Sequence, residues 1–165
     1  MKYLNILLLG ATLMLVAACG GTKFRSYDGP PVTAIVVHKA DRQMFLLNGN
    51  EVLKSYQIAL GGNPVGDKQI EGDGKTPEGV YFINQLNPRS AYHLSLGISY
   101  PNDQDRAEAK ALGKPPGGDI FIHGQWPRKK MKGTDWTAGC IAVTDREVEE
   151  IYSMVKVGTP IFIKP

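Results

Sequence analysis

Between Val32 and Lys164 the apolar residues come in short, often β-branched runs, cut by Gly, Pro, Asn and Asp. This punctuation constrains the fold most. It favours many short strands joined by turns over a helical bundle. Gly (19) and Pro (11) together make 30 of the 165 residues, a turn-rich count. At 42% apolar and 21% charged the chain is neither wholly disordered nor collagen-like. Its length suits one domain with a real core. A net charge of +3 is too small to argue for a nucleic-acid partner, and none is expected.

The strand pattern runs as follows. Thr33 to His38 is β-branched, and Gln43 to Leu47 is a second run. Asn48-Gly49-Asn50 signals a hairpin, completed by Glu51 to Leu60 with Val52, Tyr56 and Ile58 expected inward. Gly61 to Glu78, rich in Gly, Asp, Asn and Pro, is expected as a long surface loop. Strand returns at Gly79 to Asn84. Asn102 to Gly113 is expected as a short helix, capped by Asn102 and stopped by Gly113. Asp119 to His123 is expected as a buried strand, and Cys140 to Val143 as another. Thr144-Asp145-Arg146-Glu147 is a capping box. It opens a helix with Val148, Ile151, Tyr152 and Val155 on one apolar face, ended by Gly158. Pro160 to Lys164 closes the pattern as a final strand. The fold class is mostly β with two short helices.

The first residues read differently. Lys2 precedes an apolar stretch to Val16, interrupted by Tyr3, Asn5 and Thr12, and Val16-Ala17-Ala18 leads into Cys19. This is a secretory leader, too short and wrongly flanked for a stable span. Val-Ala-Ala-Cys resembles a bacterial lipobox, in which the cysteine is lipidated. Acyl chains at ~0.8 kcal/mol per buried CH₂ would anchor the chain to a membrane durably. Gly20 after the cysteine, rather than Asp, leans toward the outer membrane by the sorting pattern this resembles. The expected organisation is a signal peptide over 1–18, a polar tether over 19–31 and a folded domain over 32–165. The chain is expected to be exported and lipid-anchored on the periplasmic side. Cys140 is then the remaining thiol, either inert in a core or reactive.

His123 and Cys140 carry the chemistry. His123 ends an apolar strand and precedes Gly124; Cys140 lies in Thr137-Ala138-Gly139-Cys140-Ile141, where a polar loop enters a strand. A thiolate is a strong nucleophile, and an imidazole titrating near neutrality can take the thiol proton or hold it as an ion pair. Gly139 leaves room for a substrate carbonyl, and nearby backbone N–H groups can face a developing oxyanion. Thr137 could bond the loop or the substrate.

The ordered set His123-Gly124, a loop, then Thr137-Ala138-Gly139-Cys140 resembles the signature of the YkuD-type (ErfK/YbiS/YkuD) L,D-transpeptidase catalytic domain. Thr76-Pro77-Glu78-Gly79 resembles that family's start of a strand, and Asp41 to Leu46 its early hairpin. The resemblance spans roughly Val32 to Lys164 and implies a β-sandwich-like YkuD fold. It further implies that Cys140 attacks the third residue of a peptidoglycan stem peptide, usually diaminopimelate. His123 would activate the thiol and then protonate the departing D-alanine. The backbone N–H groups of Gly139 and Cys140 would form the oxyanion hole. No cofactor or metal is implied. An amine resolving the thioester gives a transpeptidase, for cross-linking or lipoprotein attachment. Water resolving it gives a carboxypeptidase or endopeptidase, or an enzyme releasing a wall-bound lipoprotein. Many members carry an arginine two residues after the cysteine, where this chain has Ala142; that departure bears on transfer against hydrolysis.

Two other classes compete. One is a non-catalytic peptidoglycan-binding lipoprotein, which would not need the His123/Cys140 pair. The other is a redox protein, which would lack a resolving cysteine. Gly124, Thr137, His93 and Trp136 are candidate substrate contacts. His93 reads equally as a half-buried structural residue in a strand-like stretch. Trp126 and Trp136 either wall a cleft or pin the loop between them. Asp135 or Asp145 could orient His123, as could a backbone carbonyl. His38 reads as structural. Arg128, Lys129, Lys130 and Lys132 read as a solvated face, or as an attractor of acidic stem peptides.

Overall fold

The structure, a computed structural model, describes residues 22–125 and 135–165. The expected leader, the Val-Ala-Ala-Cys segment expected to carry a lipid on Cys19, and the basic run with Trp126 lie outside the described residues. Eight strands and two helices form: β1 Ala34–His38, β2 Gln43–Asn48, β3 Glu51–Gln57, β4 Gly79–Asn87, β5 Ser95–Ile98, α1 Asp103–Ala111, β6 Phe121–His123, β7 Ile141–Ala142, α2 Asp145–Met154 and β8 Pro160–Lys164. No helix among the described residues is long and apolar enough to cross a membrane.

The strands make one sheet in the order β3-β2-β1-β8-β4-β5-β6-β7. The β1–β8 and β6–β7 pairs are parallel and the others antiparallel. The sheet curls until its ends meet. Beyond β3, Ala59 exchanges two backbone hydrogen bonds with Ala142 of β7, at 2.9 and 2.8 Å. Leu60 O then accepts the amides of Trp136 and Thr137 at 3.0 and 3.1 Å, and Gly62 N–H donates to Thr137 O at 2.9 Å. The expected sandwich is thus a single sheet folded on itself, mostly β with two short helices. The closure protects edges that would otherwise be open to other chains.

Alternation builds the core, because successive strand residues face opposite sides. Ile35 and Val37, Met44 and Leu46, Tyr81 and Ile83, and Ile161 and Ile163 all point inward. Val148, Ile151 and Met154 of α2 pack into the same cluster. Each such side chain contributes roughly 1.5–3 kcal/mol on burial. Thr144 and Glu147 close the capping box on α2, and Asn102 with Asp105 closes one on α1. Asp105 also accepts the buried Tyr81 hydroxyl at 3.1 Å, which ties α1 to the core.

The structure corrects four expectations. The second helix ends at Met154, with Val155 already extended, and does not run to Gly158. Val52 is 54% exposed rather than inward. The β2–β3 register slips between Leu46↔Lys54 and Leu47↔Val52, so Leu53 is an extra residue that packs partly on the core. A bulge reverses which residues face in, and alternation read backward from Tyr56 fails beyond it. The strand expected from Asp119 begins at Phe121, because Asp119 holds φ 55. His93 lies outside any strand, at φ 72.

The 61–78 segment is a loop, but one that is stapled down. Lys39, almost wholly buried, donates to Gly66 O, Thr76 O and Glu78 Oε1 at 2.7, 2.8 and 2.7 Å. Lys68, equally buried, donates to Ile70 O and to Asp73, whose carboxylate also accepts the amides of Gln69, Ile70 and Lys75. These bonds and the surrounding backbone hold the Asp73 carboxyl below its ordinary range despite partial burial. At the other end of the chain, Lys23 Nζ donates to Pro88 O and His93 O, and Arg25 pairs with Glu149 at 2.7 Å. The described part of the 19–31 segment is therefore bonded to the domain.

Candidate active site

Cys140 stands at the exit of a short turn fixed from within. The Thr137 hydroxyl donates to Cys140 O at 2.7 Å and accepts the Gly139 amide at 3.1 Å. Gly139 has φ 139, and a Cβ there would sit 2.6 Å from Lys75 O. The glycine is thus required by the close passage of the stapled loop. Ile141 pairs with Ile122 and Ala142 with His123, so β7 delivers the cysteine alongside the end of β6.

His123 is 4% exposed, and its Nδ1 donates to Gly124 O at 2.5 Å. With Nδ1 carrying the proton, a neutral ring leaves Nε2 as an acceptor. Burial pushes the His123 pKa down, against the raising effect of the Gly124 carbonyl. The orienting group is thus a backbone carbonyl. Asp135 instead pairs with Arg42 at 2.7 Å and accepts the Leu60 amide, while Asp145 accepts the Gln125 amide at 3.2 Å.

The Cys140 thiol donates to Asp119 O at 3.4 Å. Burial pushes its pKa up, the Phe121 amide beside the sulfur opposes this, the Asp119 carboxylate adds to it, and Lys68 opposes it more weakly. At neutral pH the resting pair is therefore a neutral thiol and a neutral imidazole, and not an ion pair. Both side chains line one pocket of about 280 Å³, together with Asn87, Ser90, Tyr92, Ser95, Asp119 and Phe121.

The other candidates sit as follows. Gly124 is buried; its amide is shared between Tyr92 O and Leu94 O, and a Cβ would lie 2.7 Å from Tyr92 O. Thr137 is buried with its hydroxyl engaged at both ends of its own turn. The Gly139 amide is likewise taken, whereas the Cys140 amide makes no hydrogen bond among the described residues. His93 turns its Nε2 to Glu149 at 2.8 Å, and its ring does not line the pocket. The Trp136 ring stands edge-on to His123 at 5.7 Å, with Nε1 buried and unpartnered among the described residues. His38 lies 3.7 Å from Asp41 and packs on Phe45.

Two residues escape sequence reasoning. The Tyr92 ring lies 4.4 Å from the His123 ring, tilted by 37°. Nothing in the local sequence distinguishes Tyr92. Asp119 could have been suspected, because Gly117-Gly118-Asp119 is a turn signal directly ahead of the histidine strand. A larger pocket, of about 710 Å³, includes neither Cys140 nor His123; Ala142, Arg42 and Asp135 line it. Ala142 faces this pocket, in which Arg42 pairs with Asp135.

Among the described residues no three His, Cys, Asp or Glu side chains gather as a metal site. The thiol and the imidazole thus share one pocket at the seam of a curled sheet. The chain belongs to the YkuD family of L,D-transpeptidase catalytic domains, whose family model matches residues 32–163. It is 34% identical over 117 residues to YafK of Escherichia coli (strain K12), itself assigned as an L,D-transpeptidase without being established as one. That match covers 70% of this chain and 42% of YafK. Among solved structures, it is similar to the K307A mutant of the helical cell shape determining protein Pgp2 from Campylobacter jejuni, at 28% identity and TM-score 0.63. That similarity covers 84% of this chain and 48% of the solved one. It is also similar to Bd1075 of Bdellovibrio bacteriovorus, at 26% identity and TM-score 0.57, covering 86% of this chain and 50% of that one. The chain thus spans about half or less of each relative's length.

Proposed function

We propose that this domain is a cysteine-dependent L,D-transpeptidase acting on peptidoglycan stem peptides. The observation that carries the reading is the His123 tautomer. Nδ1–H is held by Gly124 O, which leaves Nε2 as a base in the pocket that contains the thiol. Substrate enters, and the Cys140 proton passes to His123 Nε2 as sulfur attacks the carbonyl of the third stem residue. The new S–C bond leaves a tetrahedral oxyanion, which the Cys140 amide faces. Collapse breaks the C–N bond, and the departing D-alanine amine takes the proton back from His123. An acceptor amine then attacks the thioester and restores the thiol. Preorganised donors and a positioned base are the usual sources of rate in such a step.

Water as acceptor gives the hydrolytic reading, which Ala142 favours to the extent that the missing arginine is a substrate anchor. On this reading the protein works outside the cytoplasm; Val-Ala-Ala-Cys supports a lipid anchor on Cys19, and Gly20 supports the outer membrane, facing the periplasm. A wall-attached lipoprotein is a further acceptor or substrate of the right chemistry. Intact-mass spectrometry of the protein with disaccharide-tetrapeptide tests the proposal. A thioester adduct that is absent in Cys140→Ala supports it; cross-linked dimers mean transfer, and tripeptide alone means hydrolysis. No adduct and no product would favour wall binding, or action on a different substrate.

A further inference from the structure

Among the described residues, the pocket around Cys140 holds one charged side chain besides the two reacting groups. Asn87, Ser90, Tyr92, Ser95 and Phe121 are neutral, and the exception is the Asp119 carboxylate. Asp119 is exposed, and its carboxylate has no hydrogen bond or ion pair among the described residues. The backbone explains part of this residue. Gly117 at φ 77 and Asp119 at φ 55 turn the chain so that Asp119 O meets the thiol. Glycine or asparagine would hold that left-handed position as well.

The charge itself works against the chemistry, because a carboxylate beside the sulfur opposes thiolate formation. Lys68 acts the other way, but its ammonium is committed to Asp73 and Ile70 O. A neutral residue would therefore do the backbone's work at lower cost to the nucleophile. The carboxylate has no partner among the described residues, and the pocket offers it a role: an anion beside the reacting sulfur in a cleft whose other described side chains are neutral apart from the reacting pair.

We infer that Asp119 forms a subsite for an ammonium group that the acyl-donor peptide carries on a side chain close to its scissile carbonyl. The inference deepens the acyl-transfer reading and rests on it for the identity of the donor, but the subsite can be tested without it. Methanethiosulfonates bearing an ammonium or a sulfonate are reacted with the full-length protein. The adduct is read on the Cys140 peptide by mass spectrometry, so that Cys19 does not contribute. Each rate is divided by that of the same reagent on 2-mercaptoethanol. The cation-to-anion ratio is expected to be about two- to fivefold above one, the scale of a partly exposed ion pair, and to shrink with added salt. In Asp119→Asn, which keeps the left-handed backbone, the ratio falls to about one. A wild-type ratio of one, or a ratio that survives in Asp119→Asn, overturns the inference.

The second arm compares stem peptides with lysine or Nε-acetyl-lysine as third residue. Wild-type protein should acylate at a lower concentration of the lysine peptide, and Asp119→Asn should lose the distinction. Acylation without that distinction overturns the subsite and leaves the enzymatic reading intact. If neither peptide acylates while the reagent ratio holds, the transpeptidase reading fails and the cation subsite stands.

Discussion

A single tautomer sets the behaviour of the pair. Because burial holds the His123 pKa below 6.5, the ring is neutral through physiological pH and protonates only on the acid side. Acylation should therefore lose rate as pH falls below that value and not before, a limb readable from adduct formation against pH. His123→Ala should slow acylation by ~10²-fold or more at neutral pH, the scale of a lost general base. Cys140 behaves in the opposite sense. Its raised pKa keeps it as thiol at neutral pH, so iodoacetamide should alkylate it more slowly than a free thiol. That rate should keep rising with pH beyond 9, the ordinary thiol value. Slow alkylation at neutral pH combined with fast acylation by substrate would mean that the substrate itself brings thiol and base together. Gly139 makes a different demand. Gly139→Ala places a Cβ 2.6 Å from Lys75 O at φ 139, where overpacking and backbone strain add. The cost should be about 1–3 kcal/mol or more, measured as a lower urea midpoint. The sequence suggested substrate access as the reason for this glycine. The structure shows packing against a loop far away in the chain, which no local pattern records.

At the scale of elements, what was legible followed local rules. The capping boxes of α1 and α2, the Gly49 turn and the strand at Pro160–Lys164 depend on neighbours in sequence, and each stands where its residues put it. That His123 and Cys140 line one pocket was legible because both residues flank one loop. Their supports were not, since Gly124 O, Tyr92 and Asp119 act through backbone direction or contact between distant segments. The bulge at Leu53 marks the same boundary. Alternation predicts an inward Val52 only if the register is unbroken, and the register is fixed by pairing with β2. The bulge makes a testable contrast. Val52→Thr, on the exposed side, should change stability by less than about 0.5 kcal/mol. Leu53→Ala removes a side chain that rests on the core and should cost more, about 1 kcal/mol. Urea unfolding of both variants checks it; the reverse order would mean that the bulge lies elsewhere.

The molecule as a whole depends on how the 61–78 loop is held, because that loop backs the cysteine turn. Gly139 rests on Lys75 O, and a Cβ at Gly61 would lie 2.1 Å from Gly74 O, so three backbone segments meet with no room between them. Val65 of the loop is exposed and Ile70 only half-buried, and two buried lysines tie the loop down. Lys39 reaches from the end of β1 to carbonyls on either side of the loop and to Glu78. A buried ion pair adds little net stability over apolar residues of equal size, but losing one partner is costly. Lys39→Met keeps the stem and removes the ammonium, leaving Gly66 O, Thr76 O and the Glu78 carboxylate unpaired. The loss should be about 3–5 kcal/mol by urea unfolding. Because the orphaned groups lie in the loop, opening there should precede global unfolding, and Cys140 should alkylate faster at neutral pH in native buffer. Adding Glu78→Gln removes the orphaned charge and should recover part of the stability. If Lys39→Met leaves the alkylation rate unchanged, the loop is held by its glycine contacts alone, and the lysine serves stability without setting the position of the nucleophile.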